Sequence, residues 1–169
     1  MIVIPVSTLK AALLFVPKNE VRYYLNGISI KVVDNVLSIA ASDGHTLFFD
    51  SFGIECDDMS FIIPRESVEM AIKLNNKDVK DLLITDISIG LVNFVKIDAK
   101  YPDFTKVFNA PLLETGKLNF NFDYLARVKK AYCEYTCNKS AIPAMRHTEH
   151  GQAVLTHESM KMIVMPMHV

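Results

Sequence analysis

The chain has 169 residues, half of them apolar, and a formal charge of −1, which suits one ordinary domain or two small ones with a true core. No apolar run approaches the roughly 20 residues of a membrane span, and Met1-Ile2-Val3-Ile4-Pro5 has neither a basic lead-in nor a cleavage pattern, so neither a membrane partner nor a secretion signal is expected. Three cysteines without framework spacing fit a reducing, cytoplasmic setting, and the near-zero charge excludes a tight overall grip on phosphate, leaving only local or loose nucleic-acid contact.

In chain order, Ile2 to Ile4 reads as a strand, and Ser7 or Thr8 is placed to cap the helix that follows. Leu9, Ala12, Leu13 and Val16 fall on one helical face with Lys10 off it, and Pro17 ends the run. Strands are expected at Arg22 to Val33, Leu37 to Ala41 and Thr46 to Phe49, with a hairpin turn at Asp34-Asn35 and a bend at Asp43-Gly44. An acidic loop, Ile54 to Met59, precedes a strand at Ser60 to Ile63. Pro64 suits a first helical position, and Val68, Ala71, Ile72 and Leu74 mark the buried stripe of that helix. Strands follow at Asp81 to Ile84, Ile87 to Leu91 and Asn93 to Ile97, a loop around Pro102, and a linker over Asn109 to Gly116. The last part gives a strand at Leu118 to Phe122 and a helix capped by Asp123, with Leu125, Val128 and Tyr132 inward. Strands at Ala141 to Arg146, Gln152 to Leu155 and Met160 to Val164 complete it, before an apolar tail.

One unit recurs. The segments beginning at Ile4, Ile63 and Phe120 each run from a short apolar strand through a polar or proline break into a helix, and their starts lie 59 and 57 residues apart. Their apolar positions coincide: Leu9, Val68 and Leu125, then Ala12, Ala71 and Val128. A near-constant period of this kind marks a repeated supersecondary unit. The class is α+β, with antiparallel strands and helices segregated to one face.

The helices are weakly basic. Residues 7–18 hold two lysines and no acid, residues 123–130 three bases and one acid, and residues 64–80 four bases and three acids. Solvated faces would account for this, but three related helices along one concave wall would also hold DNA by its backbone without reading sequence. The candidate DNA contacts are Lys10, Tyr23, Arg65, Lys73, Lys77, Arg127, Lys129 and Lys130. No catalytic site is expected. Asp43-Gly44-His45 has no partner nucleophile, and no glycine-rich phosphate loop is present. His147, His150 and His157 lack a carboxylate-histidine motif, so no metal or other cofactor is expected there. The four-residue step from Cys133 to Cys137 is wrong for a redox or zinc pair. The tail Met165-Pro166-Met167-His168-Val169 reads either as a buried terminal strand or as an adaptable peptide-binding surface.

These residues bring a resemblance. Arg22-Tyr23-Tyr24-Leu25-Asn26-Gly27, Ala41-Ser42-Asp43-Gly44-His45-Thr46-Leu47, Ile62-Ile63-Pro64-Arg65, Tyr101-Pro102-Asp103-Phe104 and Val164-Met165-Pro166-Met167 occur in that order. The set resembles the bacterial replicative sliding clamp, the beta subunit of DNA polymerase III, whose second motif reads Ala-Thr-Asp-Gly-His-Arg-Leu. The resemblance implies the DNA-clamp fold, with antiparallel sheets outside, helices on the inner face, and each domain a pair of strand-helix-strand units. Here it implies a complete clamp domain over 1–108 and a half domain over 117–169: the family's middle domain followed by the second half of its last. It further implies a non-enzymatic DNA replication processivity factor. The ring of such domains slides on duplex DNA without sequence preference, and polymerase and clamp-loader peptides dock in an apolar pocket. Matched residue by residue, that pocket takes Leu25, Ser42, Gly44, His45 and Leu47, then Pro102, Lys106 and Val107, and from the tail Ile163, Val164, Met165, Pro166 and Met167.

The departures bear on charge. Thr46 stands where the family has arginine, Lys106 replaces another arginine, and His168-Val169 replaces the Arg-Leu ending. With three units per chain, self-pairing of the third unit about a two-fold axis would give a homo-oligomer, a dimer or a ring-closing tetramer. The alternative is a decoy or adaptor that offers the pocket without encircling DNA.

Overall fold

The computed structural model describes residues 1–75, 78–104, 107–108, 112–113 and 119–167. In chain order its elements are β1 (Ile2–Pro5), α1 (Val6–Leu13), a 3-10 turn (Tyr23–Leu25), β2 (Gly27–Val33), β3 (Val36–Ser42), β4 (Thr46–Gly53), β5 (Met59–Pro64), α2 (Arg65–Leu74), β6 (Asp81–Ile84), β7 (Ser88–Ile89), β8 (Val92–Asn93), β9 (Leu112–Leu113), α3 (Phe122–Tyr135), β10 (Met145–Thr148), β11 (Ala153–His157) and β12 (Met160–Val164). The fold is α+β, and its strands form two antiparallel sheets, β1-β6-β7-β8 and β5-β2-β3-β4-β12-β11-β10-β9.

The first two units exchange strands. β1 leaves its own unit to pair with β6, from Ile2 opposite Ile84 to Pro5 opposite Asp81. β5 in turn crosses to β2, from Gly27 opposite Pro64 to Val32 opposite Met59. Gly27 lies so close to β5 that a Cβ there would meet the Ile63 carbonyl oxygen at 2.4 Å. The exchange also settles how the helices begin. An N-terminal amide needs a partner from outside its own helix. The Val6 amide donates to the Lys80 carbonyl at 2.8 Å, and the equivalent Arg65 amide donates to the Asn26 carbonyl at 3.0 Å. Neither helix has a side-chain cap. Ser7 and Thr8 therefore lie inside α1 rather than capping it, and Pro64 precedes α2 rather than opening it.

The third unit joins by another route. β12 pairs edge to edge with β4, from Lys161 opposite Phe49 to Val164 opposite Thr46, and β11 and β10 extend the sheet outward. α3 packs along α1. Its first turn is closed by Asn121, whose side chain accepts from the Asp123 amide at 2.8 Å. The cap is thus Asn121 rather than Asp123. The expected strand at Leu118 to Phe122 is also revised: Leu118 lies outside the described residues, residues 119–121 are not in a strand, and Phe122 opens α3.

Other boundaries shift for local reasons. The segment before Gly27 is not strand, because the Asn26 side chain ties back to Glu20: it accepts from the Glu20 amide and donates to the Glu20 carbonyl, each at 2.9 Å. The Asp34-Asn35 turn forms with φ of 51° and 62°, the primed-turn geometry that matches strand twist. β7 and β8 are two residues each, shorter than expected, because a turn at Gly90 (φ 55°) separates them. Within the expected linker, Leu112–Leu113 pairs with β10. No helix among the described residues is long and apolar enough to cross a membrane.

One buried cluster runs through all three units, from Ile4 and Leu9 through Phe48, Ile63 and Val68 to Val128, Ala131, Leu155 and Met162. At the seam, the fully buried Phe48 ring lies 5.9 Å from Phe15 and 6.3 Å from Tyr135 of α3. Beside it, buried Asp50 accepts a 2.6 Å hydrogen bond from Ser159. Burial pushes the Asp50 carboxyl up, against the hydrogen bonds from Ser159 and Tyr135. Phe48→Ala is expected to cost about 3–5 kcal/mol and Phe48→Leu much less, read from urea unfolding midpoints.

Candidate peptide groove and basic helix face

Between β3 and β4 the chain reverses through Ser42-Asp43-Gly44-His45-Thr46. The Asp43 carboxylate builds the turn from within. It accepts from the His45 amide at 2.9 Å, the Thr46 amide at 2.7 Å and the Thr46 hydroxyl at 2.9 Å, the Asx-turn chemistry that favours aspartate at such a bend. Ser42 adds a second closure: its hydroxyl donates to the Thr46 carbonyl at 2.8 Å and accepts from the Gly44 amide at 3.0 Å. Gly44 has φ +88°, and a Cβ there would also meet the Arg22 guanidinium at 2.6 Å.

Two arginines grip this turn from outside. Arg22, held by Glu20 at 3.0 Å, donates to the Asp43 carbonyl at 3.1 Å. Arg127 reaches from α3 to donate to the Asp43 carboxylate and, at 3.0 Å, to the Thr46 hydroxyl. The same guanidinium lies 5.3 Å over the Tyr124 ring, and Tyr124 stacks on His45 at 5.8 Å. The His45 carbonyl then accepts from the Met165 amide at 2.8 Å, and the Met167 amide donates to Asn119 at the same distance.

A cavity of about 90 Å³ opens against this turn, lined by Ser42, Gly44, His45, Thr46, Leu47, Phe104, Val107, Ile163 and Met165. Its floor is apolar: Leu47 and Ile163 sit opposite each other in the β4–β12 pairing and are packed by Phe104 and Val107. Seven of the expected pocket residues therefore meet here: Ser42, Gly44, His45, Leu47, Val107, Ile163 and Met165. The others sit elsewhere. Leu25 is buried on the 3-10 turn, Val164 is buried in the core, and Pro102 is exposed on its loop. Pro166 and Met167 run on past the groove, and Lys106 lies outside the described residues. Thr46 and Phe104 were not anticipated as lining residues. Phe104 closes the Tyr101-Pro102-Asp103-Phe104 segment and stands 5.8 Å from the Tyr101 ring, so that segment was its only sequence signal.

The basic residues divide in the same way. α1, α2 and α3 converge on a depression of about 370 Å³ lined by Lys10, Leu13, Leu14, Arg65, Glu69, Ile72, Lys73, Lys130 and Glu134. Lys10, Lys73, Lys129 and Lys130 are exposed, as is Tyr23. Arg65 is engaged: it donates to the Leu13 carbonyl at 3.1 Å and to the Val16 carbonyl, where a cation suits a helix C-terminus, and pairs with Glu69 at 2.7 Å. Arg127 is engaged with Asp43, and Lys77 lies outside the described residues.

Among the described residues, no cluster of three or more His, Cys, Asp or Glu side chains is placed to hold a metal. His157 packs edge-on against Tyr132 and Tyr135, and Cys133 and Cys137 are free thiols around the end of α3.

Residues 6–103, more than half of the chain, match the family model for the central domain of the DNA polymerase III beta subunit. The chain is similar to the beta sliding clamp of Buchnera aphidicola subsp. Rhopalosiphum padi, 34% identical over 102 residues, covering 53% of this chain and 27% of that protein. It is also similar to the beta sliding clamp of Chlamydia muridarum, 24% identical over 151 residues, covering 83% of this chain and 40% of that protein. The crystal structure of the DNA polymerase III beta subunit from Thermotoga maritima superposes with a TM-score of 0.73 at 14% identity, over 99% of this chain and 65% of that one. The chain thus spans well under half the length of these two curated relatives.

The Asp43 turn is acid-sensitive. Burial opposes ionisation of its carboxyl, but the hydrogen bonds from Arg127, His45 and Thr46 outweigh it and hold the carboxyl below its usual range. A carboxyl lowered by folding stabilises the fold above its unfolded value of about 4, and that contribution is lost as the pH falls through the folded value. Unfolding midpoints of the wild type should therefore drop below about pH 4, while Asp43→Asn, weaker at neutral pH, should drop less over the same interval.

Proposed function

The chain belongs to the DNA polymerase III beta subunit family, and on that premise we propose that it acts as a sliding-clamp-type processivity factor in DNA replication. It takes polymerase or loader peptides in the groove beside His45 and encircles duplex DNA as a homo-oligomer. One observation carries the reading: the pairing of β12 with β4 sets an apolar groove at the joint between the first and third units while gathering three weakly basic helices elsewhere on the molecule. The groove offers Leu47 and Ile163 as an apolar floor, with His45 and Ser42 at its rim, the composition that suits a short linear peptide with one buried anchor. The exposed lysines Lys10, Lys73, Lys129 and Lys130 supply phosphate contact without base readout. No catalytic step is assigned.

Encirclement rests on the third unit. The first two units complete each other by exchanging β1 and β5. Among the described residues the third has only the short β9 pairing at the far side of β10, and Phe122 and Ile142 stand exposed. A second copy placed about a two-fold axis supplies the missing half, because such contacts are self-complementary.

Leu47→Asp or Ile163→Asp should weaken binding of a fluorescent clamp-binding peptide by at least about tenfold, the loss typical of a buried interface anchor, measured by fluorescence anisotropy. Light scattering should give a mass above that of one chain, and the protein should stay on nicked circular DNA and leave once it is linearised. Peptide binding without retention on circles would replace this reading with a non-encircling adaptor.

A further inference from the structure

The turn at Asp43 has a guanidinium against its carboxylate, and it arrives from α3. Arg127 donates both to the Asp43 carboxylate and to the Thr46 hydroxyl. Thr46 is 2% exposed and its hydroxyl donates a hydrogen bond to Asp43, so Asp43, Thr46 and Arg127 form a closed triangle of hydrogen bonds behind the groove wall. Arg22 approaches the same turn but spends its charge on Glu20 and contacts only the Asp43 carbonyl. Arg127 is therefore the one guanidinium on the Asp43 carboxylate among the described residues, and it does not line the groove.

We infer that Arg127 is a positioning residue for the groove: from α3 it supplies the guanidinium that ties Asp43 to Thr46, and it thereby holds the Asp43-Thr46 turn in its binding shape. The inference rests on the peptide-groove reading above. Asp43 orients the His45 and Thr46 amides, and the His45 carbonyl holds the Met165 amide at 2.8 Å. Loss of Arg127 leaves a half-buried carboxylate without its cation, so the turn opens toward water and both the His45 rim and the Met165 wall move with it.

Arg127→Gln should weaken binding of a fluorescent clamp-binding peptide by about tenfold, as expected for one charge-assisted hydrogen bond. It should also speed hydrogen exchange at the Thr46 and Met165 amides. Arg127→Lys should fall between, keeping the charge but not the fork. Asp43→Asn should weaken binding likewise, because it removes the other half of the same pair. Combined with Arg127→Gln, Asp43→Asn should add little further loss of affinity or protection, the coupling expected of two groups that act through one contact. Wild-type affinity and exchange in Arg127→Gln would overturn the inference, as would losses in the double variant that simply add. If the unsubstituted chain binds no peptide, the groove reading falls, and the exchange rates alone decide the role of Arg127.

Discussion

The structure depends on the antiparallel pairing of β12 with β4. Their register, Ile163 opposite Leu47 and Val164 opposite Thr46, joins the first and third units into one sheet. Three consequences follow from that contact. Phe48 and Tyr135 meet to close the core across the seam. The alternation of side chains across the two strands sends Leu47 and Ile163 to one face and Phe48, Met162 and Val164 to the other, so a groove floor and a core wall arise from the same ladder. The chain beyond β12 is also delivered to the His45 carbonyl, where the methionine tail hangs.

Helix starts show how the units depend on one another. α1 and α2 leave their first amides to be satisfied by carbonyls of the opposite unit, Lys80 and Asn26. α3 carries its own asparagine cap. A helix whose terminal amide is filled by a neighbour needs no capping side chain, and one without that neighbour does. The difference is visible in three similar strand-helix segments of a single chain and marks the third unit as the one whose surroundings differ.

Charge follows a similar division. Arginine, with its planar fork, is drawn into internal ties: Arg65 to the carbonyls that end α1, Arg127 to the Asp43 turn. The lysines at 10, 73, 129 and 130 stay in water. A chain of net charge −1 therefore presents these four lysines on its helices and ties Arg65 and Arg127 into its packing. On the proposed reading, loose, salt-sensitive contact with a DNA backbone would fall to this exposed set.

Much of this was legible in the sequence. The strand-helix repeat, the buried stripe of Leu9, Ala12 and Leu13, the Asp34-Asn35 hairpin and the groove residues from Ser42 to Leu47 all follow from local periodicity, turn chemistry or an ordered set of motifs, because each depends on residues close in the chain. What the sequence could not disclose were partners far along it. Ser7 and Asp123 look like caps by type, yet the true partners of those helix starts are a distant carbonyl and Asn121. Arg65 and Arg127 look like free basic residues, and only packing reveals the carbonyls and the carboxylate that claim them. The sequence by itself determined the units and their faces, since these are set by side-chain spacing along a single element. The tertiary structure alone decided how the units share strands, where the groove opens and which charges remain available, since hydrogen bonds and burial between remote segments exist only once the chain has closed on itself.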